Sequence, residues 1–266
     1  MPAKEIFSWY HVVKWRFKIQ YGFRMTKINI RDLPTAVNIC EQVLREVEKQ
    51  PQWSMAHVVM NPLAASLFHD HETTTEIYVI TKGYGELCLG TPESNGACRD
   101  VAAGSAYEIP AGVAHMLRNK SSGYLEHLVF ALPPFNPNDV YLRDQKLSPG
   151  KTYPLSLPEA EDCFDGAKIL SYAFSRPDLS IAYGWVMNDP ARRKQPHRHK
   201  KSTEFVYVVE GKGFIEIDRV RHPLESGDWI RIDPETEHGL FNEAPEDLVV
   251  VCICSPAFQM EDVRHR

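Results

Sequence analysis

The chain has 266 residues, of which 43% are hydrophobic and 24% charged, so it has enough apolar side chains for a packed core and is not of the disordered class. Its formal net charge of -5 and its pI near 6.1 exclude an overall attraction to nucleic acid or to an anionic membrane surface. No segment offers the roughly 20 apolar residues of a membrane span. The six cysteines form no CxxC pair, so we expect a cytoplasmic protein with reduced thiols.

The first 24 residues are basic and rich in aromatic side chains. Five Lys or Arg residues stand against one Glu, which gives a net charge of 5 - 1 = +4. Three interpretations are open: an amphipathic targeting or membrane-surface segment, an additional edge strand, or a true translation start at Met25.

A helix is predicted next, over residues 32–51. Asp32 is a suitable N-cap, apolar residues recur at intervals of three and four from Val37 to Val47, and Pro51 ends the pattern. We therefore assign residues 1–51 to an N-terminal extension with a short helical segment.

From residue 52 onward, short alternating runs separated by Gly, Pro and Asn are typical of β-strands. We predict one domain over residues 52–135 and a second over 168–258, joined by a proline-rich linker at 136–167 and followed by a tail at 259–266. Many short strands without βαβ alternation favour an all-β fold, with a barrel or a sandwich in each half.

The two halves repeat one pattern of polar residues. "HDHETTTE" at residues 69–76 returns as "HRHKKSTE" at 197–204, a shift of 197 - 69 = 128 residues. In each half a later histidine follows a glycine by 11 residues and precedes an asparagine by four. A single His-x-His pair is more often part of a surface or a core than of a site, but this agreement indicates a function. The residues concerned are His69, His71, Glu76 and His115 in the first half and His197, His199, Glu204 and His238 in the second.

The spacing predicts that each set converges on one point. Because residues i and i+2 of a strand point to the same side, His69 and His71 can face one position. A reversal over "ETTT" would bring Glu76 and Tyr78 to the inner face of the adjacent strand, and His115 can approach from a third. Three imidazoles and one carboxylate suit a divalent metal ion such as Fe, Mn, Ni, Cu or Zn, without selecting among them. We therefore predict up to one metal ion in each half.

Both halves resemble the two signature motifs of the cupin superfamily, and the whole chain resembles a bicupin over about residues 52–258. The first motif matches twice, and the second matches at "GSAYEIPAGVAHMLRN". The second half departs from it, with Asp233 in place of the proline and Thr236 in place of the glycine. We expect this departure to change the turn before His238 but not the register of the histidine itself.

The resemblance implies two small jelly-roll β-barrels, each with a metal ion inside and with coordination positions left for water, substrate or dioxygen. It also implies that Glu76 and Glu204 are metal ligands, and a glutamate that leaves the metal could serve as a catalytic base. Barrels of this family often pair through edge strands, which makes a homodimer an additional expectation.

The leading hypothesis is a metal-dependent enzyme that acts on a small polar or anionic metabolite, with a dioxygenase reaction ahead of the others. The alternatives are a sugar-phosphate isomerase, an enzyme similar to oxalate decarboxylase, and a binding or sensing protein without turnover.

Candidate substrate contacts come from both halves. Tyr78 is expected on the inner face of the first barrel. In the second half, "RRKQPHRHKK" at residues 192–201 has six basic residues and no acid, so Arg192 and Arg193 could attract a carboxylate or a phosphate. The competing interpretation is a solvated surface loop. The histidines outside the repeated pattern are expected to be structural or exposed, namely His11, His57, His127, His222 and His265.

Overall fold

A computed structural model describes residues 25–38, 40, 42–91, 94–143, 159–172, 176–189, 191–192 and 195–265. The basic segment of residues 1–24 lies outside the described residues. The described part consists almost entirely of β-strands, with three short 3-10 helices at Ile30–Asp32, Pro137–Asp139 and Met260–Asp262. Within it, no helix has the length and apolar character that crossing a membrane requires.

The strands fall into two groups, separated by residues 144–158. The strands before this segment are β1 Met25–Asn29, β2 Ala36–Val37, β3 Val43–Lys49, β4 Ser54–Met60, β5 His69–Asp70, β6 Thr75–Lys82, β7 Tyr84–Thr91, β8 Ser94–Ala102, β9 Ala106–Ile109, β10 Ala114–Asn119, β11 Leu125–Leu132 and β12 Tyr141–Leu142. The strands after it are β13 Glu161–Asp162, β14 Lys168–Tyr172, β15 Ser180–Val186, β16 His197–His199, β17 Thr203–Glu210, β18 Lys212–Ile217, β19 Val220–Glu225, β20 Asp228–Ile232, β21 His238–Phe241, β22 Leu248–Ser255 and β23 Val263–His265.

These strands form two barrels of two antiparallel sheets each. The first barrel combines a six-stranded sheet, in the order β2-β3-β4-β11-β6-β9, with a five-stranded sheet, in the order β12-β5-β10-β7-β8. The second combines β1-β20-β17-β22-β15-β14-β13 with β19-β18-β21-β16-β23. The predicted all-β fold of two tandem jelly-roll barrels is confirmed.

Both barrels end in the same way. The last long strand is followed by a cis proline (Pro133 or Pro256), a 3-10 helix and a short strand, β12 or β23. These short strands pair with β5, which carries His69, and with β16, which carries His197 and His199. Strand β12 lies within the range predicted as a linker and β23 within the predicted tail, so both segments help to build the barrels.

The helix predicted over residues 32–51 is wrong. Asp32 ends a 3-10 helix, and the segment continues as β2 and β3, with β3 paired to β4. Leu44 packs against the core inside the first barrel, whereas Val47 packs against the apolar cluster between the barrels. A strand with apolar side chains on both faces imitates the three- and four-residue spacing of a helix, and strand pairing overrides the local pattern.

Apolar side chains form one core inside each barrel and a third between the barrels. The third core joins the outer face of the six-stranded sheet to that of the seven-stranded sheet. Trp53 is fully buried there, with its ring centroid 5.3 Å from that of Phe205 and 5.9 Å from that of Phe130. Its indole N–H donates to Oγ of Ser255 at 3.1 Å. The two barrels therefore pack through buried aromatic rings, and the indole N–H of Trp53 has a hydrogen-bond partner.

The expectation that all six cysteines are reduced is wrong for one pair. Cys88 and Cys98 face each other across the β7–β8 hairpin and form a disulfide. Cys252 and Cys254 are free thiols on β22, and burial raises the pKa of both well above the usual range. They are therefore neutral side chains of the barrel wall.

Candidate metal centres

The first set of predicted ligands comes together inside the first barrel. His69 lies on β5, Glu76 on β6 and His115 on β10, and His71 directly follows β5. Since β5 pairs with β10, His69 lies directly opposite His115. All four side chains are buried, and their donor atoms lie within 4.8 Å of one another.

Backbone carbonyl groups orient the three imidazoles. Each Nδ1 donates to a carbonyl oxygen, that of His69 to Leu67 at 2.9 Å, that of His71 to Asp139 at 2.8 Å and that of His115 to Val113 at 3.1 Å. Because Nδ1 of each ring is used by a carbonyl group, Nε2 is the nitrogen that remains for a metal ion. Nε2 of His115 lies 3.0 Å from Oε2 of Glu76, and Nε2 of His71 lies 3.5 Å from Oε1.

Asp139 holds the turn between β5 and β6. Its carboxylate accepts hydrogen bonds from the backbone N–H groups of Glu72, Thr73 and Thr74 and from both threonine hydroxyls, over distances of 2.7–3.3 Å. These residues form the predicted "ETTT" reversal. Through its carboxylate and its carbonyl oxygen, Asp139 therefore fixes both the turn and the ring of His71.

The electrostatics of this set fit a bound cation. Burial opposes ionisation of Glu76, but hydrogen bonds from His115 and His71 hold the pKa of its carboxyl well below the usual range. Burial also works against protonation of His71, yet the hydrogen bond with Glu76 raises its pKa. A buried carboxylate thus draws positive charge to its neighbours, and a divalent ion held by three imidazoles and this carboxylate would supply that charge.

The second set repeats the arrangement. His197 and His199 lie on β16, Glu204 on β17 and His238 on β21, all buried, with donor atoms within 4.8 Å of one another. Oε2 of Glu204 lies 2.8 Å from Nε2 of His238, 3.0 Å from that of His199 and 3.9 Å from that of His197. Burial opposes ionisation here too, but the charge of His238 and the hydrogen bond from His199 hold the pKa of Glu204 well below its usual range. Both clusters are suited to metal binding, one in each domain.

The turn before the last histidine keeps its geometry in the second barrel despite its different sequence. Gly112, at φ +78°, donates its N–H to the carbonyl oxygen of His71 at 2.6 Å. Glu235, at φ +62°, makes the same bond to His199 at 2.7 Å. Glu235 rather than Thr236 therefore occupies the position of the glycine, and the expected change of turn is wrong. The left-handed conformation is unfavourable for a glutamate, so the surrounding contacts impose it.

Asp262 repeats only part of the role of Asp139. Its Oδ2 accepts a hydrogen bond from the N–H of Ser202 at 3.1 Å and lies 3.8 Å from Nδ1 of His199. Its Oδ1 makes no hydrogen bond to any residue that the structure describes. The second barrel therefore sets a carboxylate beside its histidine where the first uses a carbonyl oxygen.

A cavity of about 290 Å³ borders on the first cluster. His69, His71 and Glu76 form part of its wall. The rest comes from the β2–β3 hairpin, from β4, β6 and β11, and from the segment before β12. Its neutral polar residues are Asn38, Cys40, Gln42, Ser54, Tyr78 and His127, and its apolar residues include Leu44, Val58, Val129, Ala131 and Phe135.

Tyr78, the substrate contact predicted in the first half, lies in this cavity. Its ring packs edge-on against His115, with 5.7 Å between centroids, and lies 4.8 Å from the ring of His127. Burial and the charge of Glu76 raise the pKa of its phenol well above the usual range. Tyr78 therefore offers the cavity a neutral hydroxyl group. Its contact with a substrate stays a prediction.

Aromatic rings pack against the second cluster. The ring centroid of Phe164 lies 5.0 Å from that of His197, and the centroid of Phe258 lies 5.9 Å from that of His199. The two phenylalanine rings are stacked, with 6.4 Å between centroids. In the first barrel, Phe135 stands where Phe258 does, 6.4 Å from His71.

The basic segment of the second half makes ion pairs at the surface. Nη1 of Arg192 lies 2.7 Å from Oδ1 of Asp162, and Nη2 of Arg198 lies 3.0 Å from Oε2 of Glu237. Arg193 lies outside the described residues. The substrate-binding role of Arg192 and Arg193 stays a prediction.

Sequence reasoning missed three residues of the cavity. His127, expected to be structural or exposed, is 1% exposed and lines the cavity. The alternation of "YLEHLVF" places it on the same face of β11 as Val129, which is a signal that could have found it. Cys40 and Gln42 lie between β2 and β3, inside the segment predicted as a helix, so no signal pointed to them.

Curated relatives match parts of this chain. An uncharacterized protein of Methanocaldococcus jannaschii is 33% identical over 66 residues, 25% of this chain and 53% of its own length. Protein SchB of Streptomyces halstedii is 32% identical over 76 residues, 29% of this chain and 55% of its own length. Polyketide synthase CurC of Streptomyces cyaneus is 30% identical over 82 residues, 31% of this chain and 53% of its own length. The chain therefore spans about half the length of the curated relatives that it matches.

The fold is similar to solved structures of oxalate decarboxylase. The Bacillus subtilis enzyme at pH 4.6 superimposes with a TM-score of 0.63 at 15% identity, over 90% of this chain and 78% of that one. A structure concerned with the Mn(II) centres of the same enzyme gives a TM-score of 0.63 at 16% identity, with the same coverage. At this identity the likeness shows the fold of the two barrels.

The family follows from the sequence match. A cupin domain model matches residues 56–130 and 184–254, which together make up more than half of the chain. Each matched segment lies within one barrel and contains one complete set of the predicted ligands. The chain therefore belongs to the cupin family and is a bicupin, with one cupin domain in each barrel.

Proposed function

We propose that this bicupin is a metal-dependent enzyme with its active centre in the first barrel and a small polar metabolite as its substrate. The observation that carries the proposal is the cavity of about 290 Å³ beside His69, His71 and Glu76. A cavity of this size accepts a small metabolite and sets it against the proposed metal ligands.

Each barrel is proposed to hold one divalent ion, with Fe, Mn, Ni, Cu and Zn as candidates. When bound, such an ion supplies Lewis-acid chemistry, or electron transfer if it is redox-active. The chain itself supplies imidazoles oriented by carbonyl groups and a cavity wall that combines apolar and polar side chains. The proposed ligands are His69, His71, Glu76 and His115 in the first barrel and His197, His199, Glu204 and His238 in the second.

The two glutamates are proposed to differ in role. Glu76 lines the cavity, so its carboxylate can hold the metal and, once it leaves the metal and its histidine partners, can take a proton from a substrate there. Glu204 neighbours His197 and His199, against which Phe164 and Phe258 pack. We therefore assign Glu204 a ligand role in a structural metal site rather than the role of a base.

A dioxygenase reaction remains the leading choice because the lining of the cavity disfavours the substrates of the two named alternatives. Oxalate and sugar phosphates are anions. Among the described lining residues, Lys49 is the single cation and is exposed, whereas Glu46 and Glu48 are acidic. A neutral molecule that chelates the metal through oxygen atoms fits better, and the name of one relative, polyketide synthase CurC, points to compounds rich in such oxygens.

The test is elemental analysis of protein purified without added metal, followed by assays with neutral hydroxy-carbonyl compounds. Oxygen uptake coupled to a new product, and lost in His71→Ala, is the expected result. Turnover at the same rate under nitrogen would contradict the dioxygenase reaction in favour of an isomerase. Ligand binding without any product, with metal present, would contradict enzymatic function and indicate a binding protein.

A further inference from the structure

Besides Nε2 of the proposed metal ligand His71, two buried hydrogen-bonding atoms of residues that line the cavity have no partner within the described residues: Nε2 of Gln42 and Nδ1 of His127. The two residues are 6% and 1% exposed, and both line the cavity. A buried polar atom without a partner costs free energy, and most such atoms in proteins are paired. Two of them beside one metal cluster indicate a place for the polar atoms of a ligand.

The amide of Gln42 is oriented by its own loop. Nδ2 of Asn38 donates to Oε1 of Gln42 at 3.0 Å, so the Gln42 NH₂ group is left as a donor for the cavity. Oδ1 of Asn38 accepts from the N–H groups of Cys40 and Gln42 at 3.0 and 2.9 Å. These bonds set the loop between β2 and β3, so the donor is held in place before a ligand binds.

The ring of His127 is held in the wall of the barrel. It lies on β11 and packs against Tyr78, with 4.8 Å between ring centroids. Burial, followed by the charge of His57, lowers the pKa of His127 to about 3, so its imidazole is neutral at physiological pH. A neutral imidazole exchanges hydrogen bonds with hydroxyl or carbonyl groups but does not balance the charge of a carboxylate.

The second barrel has neither group. The N–H of Asn38 donates to the carbonyl oxygen of Gln42 at 3.0 Å, and the same bond joins Cys163 to Ala167 at 2.8 Å, so Ala167 is the counterpart of Gln42. By the pairing of β11 with β6 and of β22 with β17, Val250 is the counterpart of His127. The polar pair is therefore a property of the first barrel and not of the fold.

We propose that Gln42 and His127 form a subsite that selects an uncharged, oxygen-bearing ligand, such as a hydroxy-carbonyl compound, over a carboxylate dianion. The proposal rests on the proposed function, since the metal ion is taken to hold the chelating oxygens of the ligand. Nε2 of Gln42 donates to a ligand oxygen, and Nδ1 of His127 exchanges a hydrogen bond with a second polar atom. Val58 and Val129 contact the carbon skeleton.

Calorimetric titration of Zn-loaded protein tests this subsite with two probes, maltol as a neutral hydroxy-carbonyl compound and oxalate as a dianion. Gln42→Ala and His127→Val copy the residues of the second barrel. Each is expected to weaken maltol binding about tenfold, the effect of losing one buried hydrogen bond. Val250→Ala is the control, because Val250 is the buried counterpart of His127 in the second barrel and lies outside the cavity lining. It should leave maltol affinity unchanged.

Three results would overturn the subsite: no binding of maltol to the wild-type protein, unchanged maltol affinity in both variants, or tighter binding of oxalate than of maltol. Gln42→Glu, of nearly equal size, repeats the test if the smaller side chain unfolds the loop. The Zn content of every sample separates this inference from the proposed function. A wild-type Zn stoichiometry that His71→Ala does not lower would contradict the proposed metal centre itself.

Discussion

The two barrels carry the same set of three histidines and one glutamate in different surroundings. In the first, the cluster borders on a cavity with Tyr78 and His127 in its wall. In the second, the matching positions are Val206 and Val250, and aromatic rings pack against the histidines. The contrast lies in the residues around the cluster, because the histidine ring centroids lie 4.3–5.9 Å apart in the first cluster and 4.5–5.6 Å apart in the second.

This difference separates what the fold provides from what the proposed reaction would need. In both barrels, strand pairing sets the first histidine of the cluster opposite the last. His69 lies opposite His115, and His197 lies opposite His238, which gives both barrels a geometry suited to metal binding. The polar side chains of Tyr78 and His127 occur in the first barrel, where a cavity leaves room for a ligand. The comparison therefore predicts that equivalent substitutions in the two barrels have unequal effects.

The largest effect is expected from the paired substitutions Glu76→Gln and Glu204→Gln. Each removes the negative charge among three imidazoles and should lower the metal affinity of its own barrel at least about 100-fold. Turnover should be abolished by the first and retained by the second. Metal content per chain by mass spectrometry and activity on the same samples check this, and unchanged stoichiometry in both variants would contradict the ligand assignment.

A smaller difference is expected between Asp139→Asn and Asp262→Asn. The Asp139 carboxylate accepts hydrogen bonds from three backbone N–H groups and two hydroxyls, and an amide would turn a donor towards some of them. We expect a loss of about 2 kcal/mol in the free energy of unfolding and roughly tenfold weaker metal binding in the first barrel. Asp262 should matter less, because one of its oxygens has no partner within the described residues. Urea unfolding of both variants measures the difference, and equal losses would contradict it.

The pH dependence of stability should also distinguish the barrels. The pKa of His127 is about 3 in the folded protein and near 6.5 when unfolded. Below pH 6.5 the unfolded chain therefore binds a proton that the native protein does not, and stability falls as the pH decreases towards 3. Above pH 6.5 this contribution vanishes.

The variant His127→Val, which carries the residue of the second barrel, should lose about 1–2 kcal/mol less than the wild-type protein between pH 7 and pH 5. Unfolding free energies from urea titrations at the two pH values provide the comparison. The same loss in both proteins would show that His127 is not held neutral.

The smallest effect is expected from opening the second site. Phe164→Ala removes a ring beside His197, so a chelator should extract the second metal several-fold faster, while turnover in the first barrel stays unchanged. Phe135→Ala in the first barrel is the matched variant. Extraction rates followed with a coloured chelator check the prediction, and an unchanged rate in Phe164→Ala would mean that the ring does not limit access.

The two clusters of three histidines and one glutamate could be predicted from sequence because their geometry is local. His69 and His71 are two residues apart on one side of the chain, and the turn to Glu76 is four residues long. The two-residue period of a strand and a short reversal suffice to bring such side chains together. His115 could be predicted only because the pattern repeats in the second half, since its separation in sequence from His69 and His71 does not by itself indicate contact.

The disulfide, the contacts of Asp139 and the position of Gln42 depend on long-range pairings that a single sequence does not reveal. The disulfide requires the register of β7 and β8, which sets Cys88 opposite Cys98. Asp139 reaches its turn from a segment 65 residues further along the chain, which composition assigned to a linker. Gln42 enters the cavity because β3 pairs with β4, and this pairing also overrode the helical pattern.

The pairing of β1 with β20 bears on the order in which the molecule is completed. Met25 lies beside Ile232, so β1 can pair with β20 only after about 200 further residues have been synthesised. Everything needed for the first barrel emerges from the ribosome in that interval. We therefore expect β1 to dock late, and separating the halves between β12 and β13 would remove an edge strand from the second barrel.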